Sequence, residues 1–210
     1  MPELVMVRHG ETPWNAEELF RGREDIPLSD RGHEQAAVLA DYLGCENIRS
    51  LYTSPLQRAA ATAVPLAERS GLEPVRVNTL TDMDFGAWQG LPLSEVRTRY
   101  PELYRTWQDR PEQVSLPGGE RLDEVSGRVI PFLQDAMRHN GDGAIAIVTH
   151  RVILKVMVCF LLGVSNASFW KFRLDTAGVT RFQVVGGRAV LTAFNDTSFL
   201  GTAHPAGNDF

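Results

Sequence analysis

Long apolar runs are missing from this chain. No stretch reaches the roughly 18 consecutive residues that a membrane-spanning helix needs. The opening MPELVMV has no basic leader and no extended apolar segment, so neither a membrane span nor a secretory signal is expected. Cysteine is scarce as well. There are two, Cys45 and Cys159, in apolar contexts and without metal-ligand spacing, so free buried thiols in a reducing cytoplasm are expected rather than a disulfide. A surplus of positive charge is also lacking. The formal net charge of −5 disfavours nucleic acid or an anionic membrane as partner, but it leaves room for a local basic pocket. There are no internal repeats and no low-complexity tracts.

What is present suits one globular domain over residues 1–210, with 43% hydrophobic and 22% charged residues and length enough to bury a substantial core. LVMV and AIAIVT read as buried strands. NIRSLYTS reads as another short strand, and VRVNTLTDMDFG as an extended piece running into a loop. VTRFQVVGGRAVLTAFN reads as a hairpin turning at Gly186-Gly187. LSDRGHEQAAVLADYLG carries Ala36, Leu39, Ala40 and Leu43 at helical spacing, with Ser29 or Asp30 as cap. SPLQRAAATAVPLAERSG reads as a helix capped by Ser54. The aromatic- and proline-rich stretch at about 88–117 reads as a helical insert. Strands alternating with helices predict an α/β fold, three-layer α/β/α, with a mostly parallel mixed central sheet and the insert over its active-site end.

Two of the buried strands end alike, in His9 and in His150. Ligands of open α/β sheets bind outside the carboxyl ends of strands, so neighbouring strands would set both imidazoles at one crevice. Arg8 precedes His9. Arg58, in the first turn of the helix opened by TSP, leans back towards the same rim. Each residue alone has an ordinary structural reading: a hydrogen-bonded histidine, a solvated arginine. Together they describe a site for a compact dianion such as phosphate.

VRHGETPWN, PLSDRGHEQA, YTSPLQRAAATA, DFGAWQG, PGGE, IVTH and NDTSFL follow one another in an order that resembles the histidine phosphatase superfamily, in its phosphoglycerate-mutase-like branch. The resemblance spans about residues 4–200 of this sequence. It implies a mixed sheet flanked by helices and catalysis through a phosphohistidine, with no metal and no cofactor. It makes His9 the nucleophile and Arg8, Arg58 and His150 the holders of the phosphoryl oxygens. Asn15 matches a further phosphate donor. The family usually has glutamate before FG, where this chain reads LTDMDFG and places Asp82. Like charge on a neighbouring phosphate favours the protonated acid, which suits a proton donor to the leaving group. Asp84, two residues on in an extended chain, is the alternative.

A second departure is THRVILK, which places Arg151 after the second histidine, as a further phosphate or substrate contact or as a surface residue. Phe20, Arg21, Gly22, Phe85, Trp88 and Trp107 are the expected specificity or lid residues. His204 lies in a tail that could fold over the site. Between the acid and the second histidine there is no adjacent arginine pair and no proline run of the kind the cofactor-dependent mutases carry. PGGE is similar to the phosphatase side of the family, including α-ribazole phosphatases and metal-independent phosphoserine phosphatases. The expectation is metal-independent hydrolysis of small phosphomonoesters, with phosphoserine as one substrate, by a cytoplasmic enzyme whose partner is a small phosphorylated metabolite. A homodimer is compatible with this reading. The alternatives are a cofactor-dependent phosphoglycerate mutase and a phosphate-binding protein with little catalysis.

Overall fold

The computed structural model describes residues 3–139 and 143–203; the tail carrying His204 lies outside them. In chain order the elements are β1 (Glu3–Arg8), α1 (Pro13–Ala16), α2 (Asp30–Leu43), β2 (Ile48–Thr53), α3 (Gln57–Ser70), β3 (Val75–Arg76), α4 (Leu93–Arg99), α5 (Pro101–Asp109), α6 (Leu122–His139), β4 (Ala144–Thr149), α7 (Arg151–Leu161), β5 (Val179–Val185) and β6 (Arg188–Asp196). The sheet order is β3-β2-β4-β1-β5-β6. β1, β2, β3 and β4 run parallel, and β5 and β6 are antiparallel additions at one edge.

β1 and β4 read as unbroken apolar runs because both faces of the sheet are covered. Val5, Val7, Ala146 and Val148 pack under α2 and α3, against Leu39, Leu43 and Leu66. Leu4, Met6, Ile145 and Ile147 point the other way, towards Val129 of α6 and Met157 of α7. Alternate side chains of one strand thus feed two separate cores, which is the α/β/α layering expected.

Three local expectations change. The extended piece after residue 74 shrinks to Val75–Arg76, both exposed, and turns into a 3-10 helix at Asn78–Leu80. The turn is tied inward because Thr149 Oγ1 donates to the Leu80 carbonyl at 2.7 Å. Ser54 does not cap α3. The helix begins at Gln57, and Asp25 Oδ1, from a distant loop, accepts from the Gln57 N–H at 2.7 Å. Cys45 is exposed, whereas Cys159 is buried as expected; neither is in a disulfide.

Candidate active site

β1 and β4 pair in register up to Arg8 and Thr149, and the chain leaves both strands at the same edge. The His9 N–H continues the ladder to the Thr149 carbonyl at 2.9 Å. The two imidazoles therefore end up together, with ring centroids 5.2 Å apart and planes tilted by 58°. His9 Nδ1 lies 2.6 Å from its neighbour's carbonyl, Gly10 O. A carbonyl only accepts, so Nδ1 carries the proton and Nε2 keeps its lone pair. Burial pushes the His9 imidazole well below its ordinary value, and Arg58 and Arg8 push in the same direction. His150 is lowered in the same way, first by burial and then by Arg58 and His9. Its Nε2 meets Ser54 Oγ at 2.8 Å.

Four arginines stand around this pair of rings, and all four are buried: Arg8, Arg21, Arg58 and Arg151. Arg8 Nη1 donates to the Leu174 carbonyl at 2.7 Å. Arg58 donates to the Glu24 and Gly22 carbonyls, each at 2.7 Å, and meets Asp82 Oδ2 at 3.3 Å. Burial lowers all four guanidiniums from their ordinary value, Arg21 to about 9 and Arg151 to about 10. Mutual repulsion adds to this: Arg21 and Arg151 act on Arg8, and Arg151 and Arg58 act on Arg21.

Asp82 is 6% exposed and lies 3.8 Å from His150 Nδ1. It shares a cavity wall with His9. Asp84 does not. Its Oδ1 accepts from the Gly86 N–H at 2.8 Å, and its other oxygen faces Arg23 at 3.7 Å. The two acids therefore serve different places, Asp82 the cavity with His9 and Asp84 the turn at Gly86. Of the expected specificity residues, Phe20, Arg21, Gly22 and Phe85 line the cavity with His9, Asp82 and Arg151. Trp88 is not among its lining residues. It is fully buried behind Phe20, with ring centroids 5.0 Å apart. Asn15 also lies off the lining. Its Oδ1 accepts from the Thr12 N–H at 2.9 Å and from Thr12 Oγ1 at 2.8 Å, closing the cap of α1. Trp107 belongs to a neighbouring cavity.

The sequence reading missed Thr62, whose Oγ1 accepts from the Gly10 N–H at 2.9 Å. It missed Ala177, whose N–H reaches the Arg8 and His9 carbonyls at 3.1 and 3.2 Å. It also missed Glu120 of PGGE, which binds Arg128 and Arg23 at 2.9 and 3.0 Å and accepts from the Asp84 N–H. These partners come from remote parts of the chain, and no local pattern announces them.

Buried arginines thus outnumber the carboxylates that act on them, Asp82, Asp175 and Asp25, at this edge of the sheet of an α/β protein. The chain belongs to the histidine phosphatase superfamily (branch 1), whose family model matches residues 4–197. It is 36% identical over 201 residues to phosphoserine phosphatase 1 of Hydrogenobacter thermophilus, covering 96% of this chain and 95% of that one. It is 31% identical over 202 residues to the metal-independent phosphoserine phosphatase of Arabidopsis thaliana, covering 94% and 83%. The phosphoserine phosphatase of Entamoeba histolytica, solved as a mutant in complex with phosphoserine, superposes with a TM-score of 0.85 at 29% identity, over 95% of this chain and 100% of that one.

Proposed function

We propose that this protein is a phosphoric monoester hydrolase that works without a metal ion, through a phosphohistidine at His9, on small phosphorylated metabolites. One observation carries the reading: a neutral imidazole of defined tautomer stands among buried arginines that outnumber the carboxylates beside them. A phosphoryl dianion supplies the missing charge, and phosphoryl transfer asks mainly for alignment and electrostatic stabilisation.

In the first step the lone pair on His9 Nε2 forms the N–P bond while the P–O bond to the alcohol breaks. Asp82 gives its proton to the departing alkoxide. In the second, Asp82 takes a proton from water, the hydroxide oxygen bonds to phosphorus, and the N–P bond breaks to return neutral His9. Arg8, Arg58 and His150 hold the equatorial oxygens through both steps, and Arg151 completes the phosphate contacts; Asn15, whose side-chain oxygen is taken up by Thr12, would add only its amide N–H from outside the lining. Phosphoserine is the substrate we propose first, on the strength of the two phosphoserine phosphatases among the relatives. A cytoplasmic location belongs to the same proposal, supported by two cysteines that form no disulfide.

The test is hydrolysis of p-nitrophenyl phosphate in EDTA, followed by a panel of phosphoserine, α-ribazole phosphate, phosphoglycerates and sugar phosphates. Turnover that survives the chelator is expected. Phosphate binding without turnover would replace the enzyme with a binding protein, and bisphosphate-dependent interconversion of phosphoglycerates would replace it with a mutase.

A further inference from the structure

Beside the His9 pocket lies a larger cavity of about 450 Å³, and Arg151 forms part of both walls. Lys155 follows Arg151 by one turn on the same face of α7 and is 2% exposed. Its Nζ sits 4.3 Å from the centre of the Trp170 ring and 4.5 Å from that of Phe169. The Arg151 guanidinium lies 5.8 Å from the same Trp170 ring. Lysine is rare in this chain: of 21 lysines and arginines only two are lysine, Lys155 and Lys171. Both line this cavity.

The cavity is short of negative charge. Among the described residues its one acid is Asp175. That carboxylate is already engaged by Arg173 at 3.0 Å and by the Asn195 amide at 2.8 Å. No carboxylate of the described residues pairs with Lys155, which burial, with Arg151 and Arg8, pushes down to about 6. Aromatic faces offset part of the cost of burying an ammonium, but without a counter-ion burial favours the neutral amine. A ligand anion would supply the counter-charge that holds Lys155 as the ammonium, whereas a ligand ammonium would meet Arg151, Lys155, Lys171 and Arg173 and a single carboxylate already engaged.

We propose that this cavity is the subsite for the alcohol half of the substrate, and that it seats a second anionic group, carboxylate or phosphate, between Arg151 and Lys155 over Trp170. The preferred esters then carry a negative charge on the leaving group as well as on the reacting phosphoryl group. The proposal rests on the phosphatase reading only for the phosphoryl end.

Calorimetry on a His9→Gln variant, which cannot form the phosphoenzyme, separates binding from turnover. Three probes share a ring and differ beyond it: phenyl phosphate, 4-carboxyphenyl phosphate and 1,4-phenylene bisphosphate. We expect one or both anionic probes to bind about tenfold more tightly than phenyl phosphate, and the choice between them assigns carboxylate or phosphate. Adding Lys155→Met, or Lys155→Gln as a polar replacement, should abolish the preference. The preference is a ratio measured in one preparation, so a reduced folded fraction does not change it. Equal affinity for all three probes, or a preference that survives both lysine variants, overturns the subsite. If p-nitrophenyl phosphate is not hydrolysed by the unaltered protein while the preference persists, the phosphatase reading falls and the subsite stands.

Discussion

Asp82 Oδ2 stands 3.3 Å from Nη2 of Arg58, a contact between two side chains almost closed to water. It joins the group proposed to move the leaving-group proton to one proposed to hold the phosphoryl oxygens. On the proposed mechanism a docking phosphate would compete with Asp82 for that guanidinium and loosen the acid from its partner. The two residues should nevertheless fail in different ways.

Asp82→Asn keeps the shape and removes the proton donor. Alkyl phosphates, whose alkoxide leaving groups need protonation, should lose about 100-fold in kcat. With p-nitrophenyl phosphate the loss should be under about tenfold, because nitrophenolate leaves without help. Steady-state kinetics on the two substrates checks this, and equal losses would move the acid role elsewhere.

Arg58→Lys should fail almost as badly as Arg58→Ala, with at least about 100-fold lost in kcat/KM. Arg58 spans two backbone carbonyls, of Gly22 and Glu24, besides Asp82, and an ammonium cannot reproduce that planar fork. Both variants should also free the 21–25 loop, so limited trypsin digestion after Arg23 should speed up. Slow digestion in both would show that the loop is held without Arg58.

The histidines set the response to acid. Both His9 and His150 are held below their ordinary value in the fold, whereas the unfolded chain takes up protons at about 6.5. Below that pH the unfolded state binds more protons on both histidines, so stability falls as pH falls; Lys155, lowered to about 6 in the fold, adds a slope of the same sign that continues above it. The slope reaches about 1.4 kcal/mol per pH unit for each histidine. Calorimetric Tm between about pH 7.5 and about pH 5.5 should show the decline, and His9→Gln should remove about half of the part due to the histidines. A Tm that is flat over this window would contradict the buried, neutral assignment.

Gly10 and Gly32 bring two segments into direct contact. A Cβ on Gly32 would lie 2.1 Å from the Glu11 carbonyl oxygen, and one on Gly10 would lie 2.6 Å from that of Gly32. Gly32→Ala should cost about 2 kcal/mol through overpacking and shift the backbone that follows His9. Gly127→Ala is the contrast. A Cβ there meets nothing within 4 Å in α6, so alanine should stabilise the helix by about 0.8 kcal/mol. Urea titrations of the two variants provide the comparison.

The parts of the site legible in the sequence are those delivered by regular elements. His9 and His150 end buried strands that pair side by side, and a strand's end can be read from its apolar run. Arg58 sits in a first helical turn, where its reach is fixed by helix geometry. What escaped depends on irregular backbone. Alternation would place Asp82 and Asp84 on one side, but Asp82 lines the cavity with His9 whereas the Asp84 carboxylate is taken up by the Gly86 N–H. Ser54 looked like a helix cap because it precedes Pro55. The chain bends at Pro55 and Leu56 before the helix starts at Gln57, whose N–H is taken by Asp25, and Ser54 faces His150 instead. Lys155 and Trp170 meet across a bend between α7 and the sheet, a contact with no signature in either segment.

The most direct measurement is a rapid acid- and base-quench of the enzyme turning over a phosphorus-labelled phosphomonoester. The account predicts a labelled protein that is stable in base and labile in acid, with the label on His9 by peptide mapping and no labelled protein in His9→Ala. Label on another residue, or a His9→Ala variant that still turns over at the rate of the unaltered protein, would contradict it.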